Sequence, residues 1–166
     1  MNRMITPLSE PIVNERGERV LGVGEGSASV DDVRVSIVLA HHERGIVVVQ
    51  NSHRSIWELP GGYVDCGERA ADCALRELFE ESGLTGSEIV LLGILDIERP
   101  SPYSDILKCA LFECRAEGAP SPGDAEISAV AFWDPMSILG PISTIDAAIL
   151  RGGVRGCARQ IAAAGG

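Results

Sequence analysis

Gly62-Tyr-Val-Asp-Cys-Gly-Glu68, seven further residues, and then Arg76-Glu-Leu-Phe-Glu-Glu-Ser-Gly-Leu84 form the stretch that decides how this chain is read. Its second half carries a helical pattern. At roughly 100° per residue, Glu77, Glu80 and Glu81 fall in one narrow sector, since positions three and four apart are helix neighbours. Ala71, Leu75, Leu78 and Phe79 fall on roughly the opposite side and give an apolar stripe to bury. Like charges at this spacing destabilise an isolated helix by about 0.2–0.5 kcal/mol per pair. Such a triplet is either a solvated acidic face or the seat of a cation. On the glutamates alone, the solvated face is the ordinary outcome.

Working outward, residues 51–62 make an irregular lead that ends in Pro60-Gly61-Gly62. That tripeptide breaks regular structure and lets backbone N–H groups approach a ligand, which suits an anion near a helix start. Gly83 is placed as the helix stop. Upstream, residues 33–40 and 46–50 read as strands around a turn. His41 and His42 in that turn point to opposite faces of an extended segment, so they do not share an ion easily. Downstream, 89–97 and 106–115 read as an antiparallel hairpin across a proline-rich loop, and 126–133 as a further strand. Residues 141–150 carry a helical pattern with Ser143 as N-cap and Gly152 as stop.

The ends read less plainly. Ile12-Val13 and Arg19-Val20-Leu21 suit a hairpin turning at Gly17. Residues 22–29 are glycine-rich but lack the Gly-Lys-Ser/Thr ending of a phosphate loop, so they read as a connection. Residues 154–166 read as a short helix that frays. There is no internal repeat. The alternation predicts an α/β fold, a mixed β-sheet flanked by helices. The domain reading is an N-terminal extension over 1–30, a main domain over 31–152 and a C-terminal tail over 153–166.

Length and composition narrow the function. A chain of 166 residues with 45% hydrophobic content suits one domain with a sizeable core. No apolar run of about 18 residues predicts a membrane helix, and residues 1–11 do not form a signal peptide. A formal net charge of −10 argues against bulk nucleic acid or an anionic membrane as partner. It leaves room for a small phosphorylated substrate whose charge metal ions offset. Five cysteines with no C-x-x-C pair read as reduced thiols, and hence as a cytoplasmic protein.

Carboxylates without neighbouring histidine or cysteine make a hard-oxygen site, which favours Mg²⁺ or Mn²⁺ over zinc. Magnesium is commonly shared between one or two carboxylates and substrate phosphates. Two such ions can activate water and neutralise charge on phosphoryl oxygens. Arg76 lies beside the acidic sector, and a Glu68–Arg76 contact would brace the loop. The loop signature of a calcium-binding EF-hand is absent.

The whole stretch resembles the Nudix box, G-x5-E-x7-R-E-U-x-E-E-x-G-U with U aliphatic, at every fixed position. The lead-in Trp57-Glu-Leu-Pro-Gly-Gly is similar to that family as well, and the likeness covers about residues 30–150. The resemblance implies a Nudix-type α/β/α sandwich. It implies Glu77, Glu80 and Glu81 as metal ligands for Mg²⁺, with Mn²⁺ as substitute, and Arg76 and Glu68 as the residues that orient them. It implies a further carboxylate on a later loop as extra ligand or general base; Glu126 matches best, with Asp124 second. Arg54, Glu58, Gly61 and Gly62 are the expected substrate contacts.

The family resemblance further implies an enzyme, a diphosphatase that hydrolyses a nucleoside diphosphate linked to another moiety by water attack on phosphorus. Pro100, 16 residues beyond Leu84, resembles its placement in ADP-ribose pyrophosphatases. The N-terminal hairpin resembles that of sugar-nucleotide hydrolases, some of which dimerise through it, so a homodimer is one expectation. The size and lead-in resemble enzymes that clear normal or oxidised nucleoside triphosphates equally well. The alternative is a non-catalytic Nudix-fold module that senses a nucleotide. Inactive relatives lose box glutamates, and this chain keeps them all.

Overall fold

A computed structural model describes residues 5–24, 32–123 and 125–152. Eleven elements follow one another in these residues: β1 (Ile5–Val13), β2 (Arg19–Gly24), β3 (Val35–His42), β4 (Gly45–Asn51), β5 (Ile56–Glu58), β6 (Gly61–Tyr63), α1 (Ala70–Ser82), β7 (Thr85–Arg99), β8 (Asp105–Glu117), β9 (Ile127–Trp133) and α2 (Thr144–Leu150). The strands join one sheet in the order β1-β2-β7-β8-β3-β4-β5, with β6 on β3 and β9 on β4. The β3–β8 pair is parallel and the others are antiparallel, so the sheet is mixed.

Successive residues of a strand face opposite sides of a sheet, and here that alternation builds two cores. On β3, Val38 and Ala40 face one side and Leu39 the other; on β8, Ala110 and Phe112 oppose Cys109 and Leu111. The first side packs against Ala70, Ala74 and Leu78 of α1. The second packs against Ile145, Ile149 and Leu150 of α2. Helices therefore cover both faces, and the architecture is the α/β/α sandwich of a mixed sheet. Alanines at 40, 74 and 110 keep the first interface thin, so α1 lies close over the strands.

The structure revises several sequence readings. Phe79 is 59% exposed rather than buried, and the packed stripe of α1 is Ala70, Cys73, Ala74 and Leu78. The lead at 51–62 contains two three-residue strands, β5 and β6. Gly22 and Gly24 belong to strand β2; the rest of that glycine-rich stretch lies outside the described residues, as do Asp124 and the tail read as a helix. Ser143 holds the N-cap position of α2 without a side-chain cap bond. Glu15 does the capping instead, its Oε1 accepting from the Thr144 N–H at 3.0 Å and the Thr144 hydroxyl at 2.9 Å.

Gly17 turns the first hairpin at φ +75°. Its second strand, β2, pairs with β7 from Arg19 opposite Glu98 to Gly24 opposite Ile94. Val20 and Val23 lie fully buried in the core beneath α2.

Candidate active site

The acidic helix is fixed at both ends. At its start the Ser36 hydroxyl of β3 donates to the Ala70 carbonyl at 2.8 Å, and the Cys73 thiol donates to the Gly62 and Tyr63 carbonyls of β6. At its end Gly83 adopts φ +73° and its N–H closes on the Phe79 carbonyl at 2.8 Å, the left-handed stop that glycine permits. The loop between β8 and β9 then takes up two more carbonyls. Ser121 N–H donates to Ser82 at 2.7 Å and Gly123 N–H donates to Glu81 at 3.4 Å.

Arg76 is the hub of the site. Its guanidinium grips Glu68 through two bonds, Nε to Oε1 at 2.8 Å and Nη2 to Oε2 at 3.1 Å. Nη1 donates to Glu77 at 2.8 Å and to Glu80 at 3.0 Å, while Nη2 also reaches the Tyr63 carbonyl at 3.1 Å. The bond from Arg76 holds the Glu68 carboxyl below its ordinary pKa. Glu77 goes the other way: burial raises it, against the pull of Arg76.

Gly62 and Gly61 explain why the sequence has no side chains there. A Cβ on Gly62 would lie 2.3 Å from Glu77 Oε1, and one on Gly61 would lie 2.5 Å from the Ser36 carbonyl. The Gly61 N–H points to Glu81 Oε2 at 3.4 Å. The β6 backbone and the acidic helix thus meet without intervening side chains.

Among the described residues, no three carboxylates, imidazoles or thiols converge as a ready ion cage. The Arg76 guanidinium lies between Glu77 and Glu80, 2.8 and 3.0 Å from their carboxylates. The donor set is oxygen alone, which fits a hard divalent ion.

Beside the glycines opens a cleft of about 230 Å³ on the α2 side of the sheet, lined among others by Arg54, Glu58, Gly61 and Gly62. Arg54 and Glu58 form an ion pair on its wall, and burial raises the Glu58 pKa despite that partner. Glu126 stands just before β9. Its backbone carbonyl accepts from Ser52 N–H at 2.8 Å, so its loop is tied to the β4–β5 turn as well as to α1.

Sequence reasoning missed the far wall of the cleft. Asn14, Arg16 and Glu18 of the first hairpin and Asp146 of α2 all line it. The signal for the hairpin was its charged run Asn14-Glu-Arg-Gly-Glu18 between two apolar pairs. Asp146 gave little signal, since an acid in the first turn of a helix has an ordinary explanation.

The NUDIX domain model matches residues 31–151. A candidate ADP-ribose pyrophosphatase of Bacillus subtilis is 34% identical over 76 residues, 43% of this chain and 35% of that relative. The chain spans 19–45% of the length of the first curated relatives that it matches. The pyrophosphohydrolase BsRppH of Bacillus subtilis superposes with a TM-score of 0.65 at 18% identity, over 82% of this chain and 87% of that one. The NUDIX domain of Shewanella oneidensis NrtR, solved with ADP ribose, gives 0.59 at 19% identity over 74% and 86%. At those identities the two structures speak for the fold.

Proposed function

We propose, because the chain belongs to the NUDIX domain family, that it hydrolyses a diphosphate bond in a nucleoside diphosphate linked to another moiety, and does so with Mg²⁺. The observation that carries this reading is the junction of Gly61 and Gly62 with Glu77 and Glu81 at the edge of the cleft. A substrate whose one end enters the cleft has its diphosphate at that junction. Glu77, Glu80 and Glu81 would hold Mg²⁺, or Mn²⁺ in its place, which supplies neutralisation of phosphoryl charge and a more acidic water. Arg76 and Glu68 hold the carboxylates in register. Glu126 takes the proton of the attacking water as the P–O bond to the leaving phosphate breaks.

ADP-ribose or a sugar nucleotide is the favoured substrate, supported by the Pro100 placement and by the name of the Bacillus subtilis relative. Normal or oxidised nucleoside triphosphates follow. The four described cysteines are free thiols, which supports a reducing, cytoplasmic setting. No helix among the described residues is long and apolar enough to cross a membrane.

The test is a phosphate-release screen with Mg²⁺ or Mn²⁺ over ADP-ribose, sugar nucleotides, dinucleoside polyphosphates and nucleoside triphosphates. We expect turnover of at least one class, abolished by chelation. Glu81→Gln should lower it by about 100-fold or more with the fold unchanged. A silent panel would remove the enzyme reading and leave the nucleotide-sensing alternative.

A further inference from the structure

Strand β6 is three residues long and pairs on one side with β3, so the backbone groups on its other edge must find partners elsewhere. Its flanks show which groups β3 takes. The Pro60 carbonyl accepts from the Val38 N–H and the Val64 N–H donates to the Arg34 carbonyl, both at 3.0 Å. Hydrogen-bonded positions alternate along an antiparallel pair, so Gly61 and Tyr63 turn their polar groups away from β3 and toward α1. The Gly61 N–H points to Glu81 at 3.4 Å. The Tyr63 carbonyl accepts from Arg76 Nη2 at 3.1 Å and from the Cys73 thiol at 3.4 Å. Arg76 Nη2 in turn lies 3.7 Å from the Cys73 sulfur. Thiol, guanidinium and carbonyl close on one another.

The same thiol is tied to β3. Ser36 stands opposite Gly62 in the β3–β6 register. Its hydroxyl donates to the Ala70 carbonyl at 2.8 Å and also interacts with Cys73. Ser36 and Cys73 are both fully buried. Buried polar groups need partners, and the partners here are backbone groups of the two elements that meet at the site, β6 and α1. Burial pushes the Cys73 thiol up to about 11, so it remains an S–H donor at neutral pH. The fixed pattern of the box requires neither residue: position 73 falls among its seven free residues and position 36 lies outside it. The spacing they act on is tight, since a Cβ at Gly62 would already reach within 2.3 Å of Glu77.

We propose that Ser36 and Cys73 are positioning residues that clamp β6 to the first turns of α1, and so set the distance from the Gly61–Gly62 backbone to Glu77 and Glu81. Cys73 acts through the Tyr63 carbonyl and Ser36 through the Ala70 carbonyl. The consequence for Mg²⁺ rests on the hydrolase reading; the clamp itself does not. Were the two residues only small side chains filling space, alanine would serve at either position.

The test is amide hydrogen exchange of the full chain followed by NMR, beside steady-state kinetics on the best substrate as Mg²⁺ is varied. Cys73→Ala should speed exchange at Gly62 and Val64, measured relative to Leu78 in the middle of α1, by about fivefold, the usual net effect of one hydrogen bond. Scaling to Leu78 removes any change in global stability. The Mg²⁺ concentration giving half activity should rise by about the same factor, with the nucleotide KM at saturating Mg²⁺ within about twofold. Ser36→Ala should act in the same direction, and it carries the comparison if Cys73→Ala does not fold. Cys73→Ser, which keeps a donor, should bring both readouts back to within about twofold of the unaltered chain. Unchanged relative exchange in both alanine variants, a serine at 73 no better than alanine, or an unchanged Mg²⁺ requirement in an active Cys73→Ala variant would overturn the proposal. Absence of turnover with exchange behaving as stated would count against the hydrolase reading alone.

Discussion

Gly62 and Asp146 show the two ways in which a single residue carries the site. At Gly62 the requirement is empty space, because a methyl group there would collide with the Glu77 carboxylate. Gly62→Ala should therefore push Glu77 out of place and weaken Mg²⁺ dependence by about tenfold, equal to roughly 1.4 kcal/mol; a Mg²⁺ titration of activity that superposes on that of the unaltered chain would refute this. At Asp146 the requirement is burial of an acid, which lifts its pKa from an ordinary 3.8 to about 7. Between those values the folded state keeps a proton that the unfolded chain has lost, so stability falls as pH rises through the window and the deficit is complete above it. Asp146→Asn cannot ionise. Its stability should match the unaltered chain near pH 4 and exceed it by on the order of 2 kcal/mol near pH 8, and parallel urea-unfolding profiles would show the prediction wrong. The placement of the glutamates on one helix was legible because their spacing follows the helix repeat. Asp146 was not, because an acid in the first turn of a helix has an ordinary explanation, and the contact of that turn with Glu15 spans 129 residues of sequence.

At the scale of elements, α1 was legible in extent and only partly in orientation. Adding 100° per residue places Leu78 inward correctly, but Phe79 lies at the margin of the stripe, where packing decides, and the sheet gives it no cover. The long strands announced themselves through β-branched runs. β5 and β6 did not, since three residues around Pro60 hold no period; they exist because β3 and β4 offer edges to pair with. The loop between β8 and β9 is likewise a tertiary product, sealed onto the end of α1. A Cβ on Gly123 would lie 1.8 Å from the Glu80 carbonyl, so Gly123→Ala must lift the loop. Two loop-to-helix hydrogen bonds go with it, at about 1 kcal/mol each. We expect roughly 2 kcal/mol lower stability in urea unfolding and about tenfold lower turnover, through displacement of Glu126. A loss within about 0.5 kcal/mol, the range of ordinary surface substitutions, would mean that the loop is not held there.

For the molecule as a whole, the question is whether the fold ends where the family resemblance ends. Reading residues 1–30 as an extension follows from their weak periodicity, yet among the described ones Ile5–Val13 and Arg19–Gly24 are strands of the same sheet. Val20 and Val23 bury completely against Leu95, Ile97 and Leu107, and β2 supplies the outer partner of β7. Burying two valines stabilises a fold by about 1.5–3 kcal/mol each, a large share of a total of roughly 5–15 kcal/mol. Removing the hairpin would also leave the backbone edge of β7 open, a template for pairing with another chain. A chain beginning at residue 25 keeps the entire box and the whole stretch matched by the family model. If the family segment were self-sufficient, that shortened chain would melt at the temperature of the full one. The packing says otherwise: its melting temperature should fall by about 6–24 °C, taking about 3–6 kcal/mol at roughly 2–4 °C per kcal/mol, and the chain should associate in size-exclusion chromatography as the bared edge pairs. An unchanged melting temperature with a monomeric profile would return the hairpin to the status of an appendage, and would separate its part in the cleft from any part in holding the sheet.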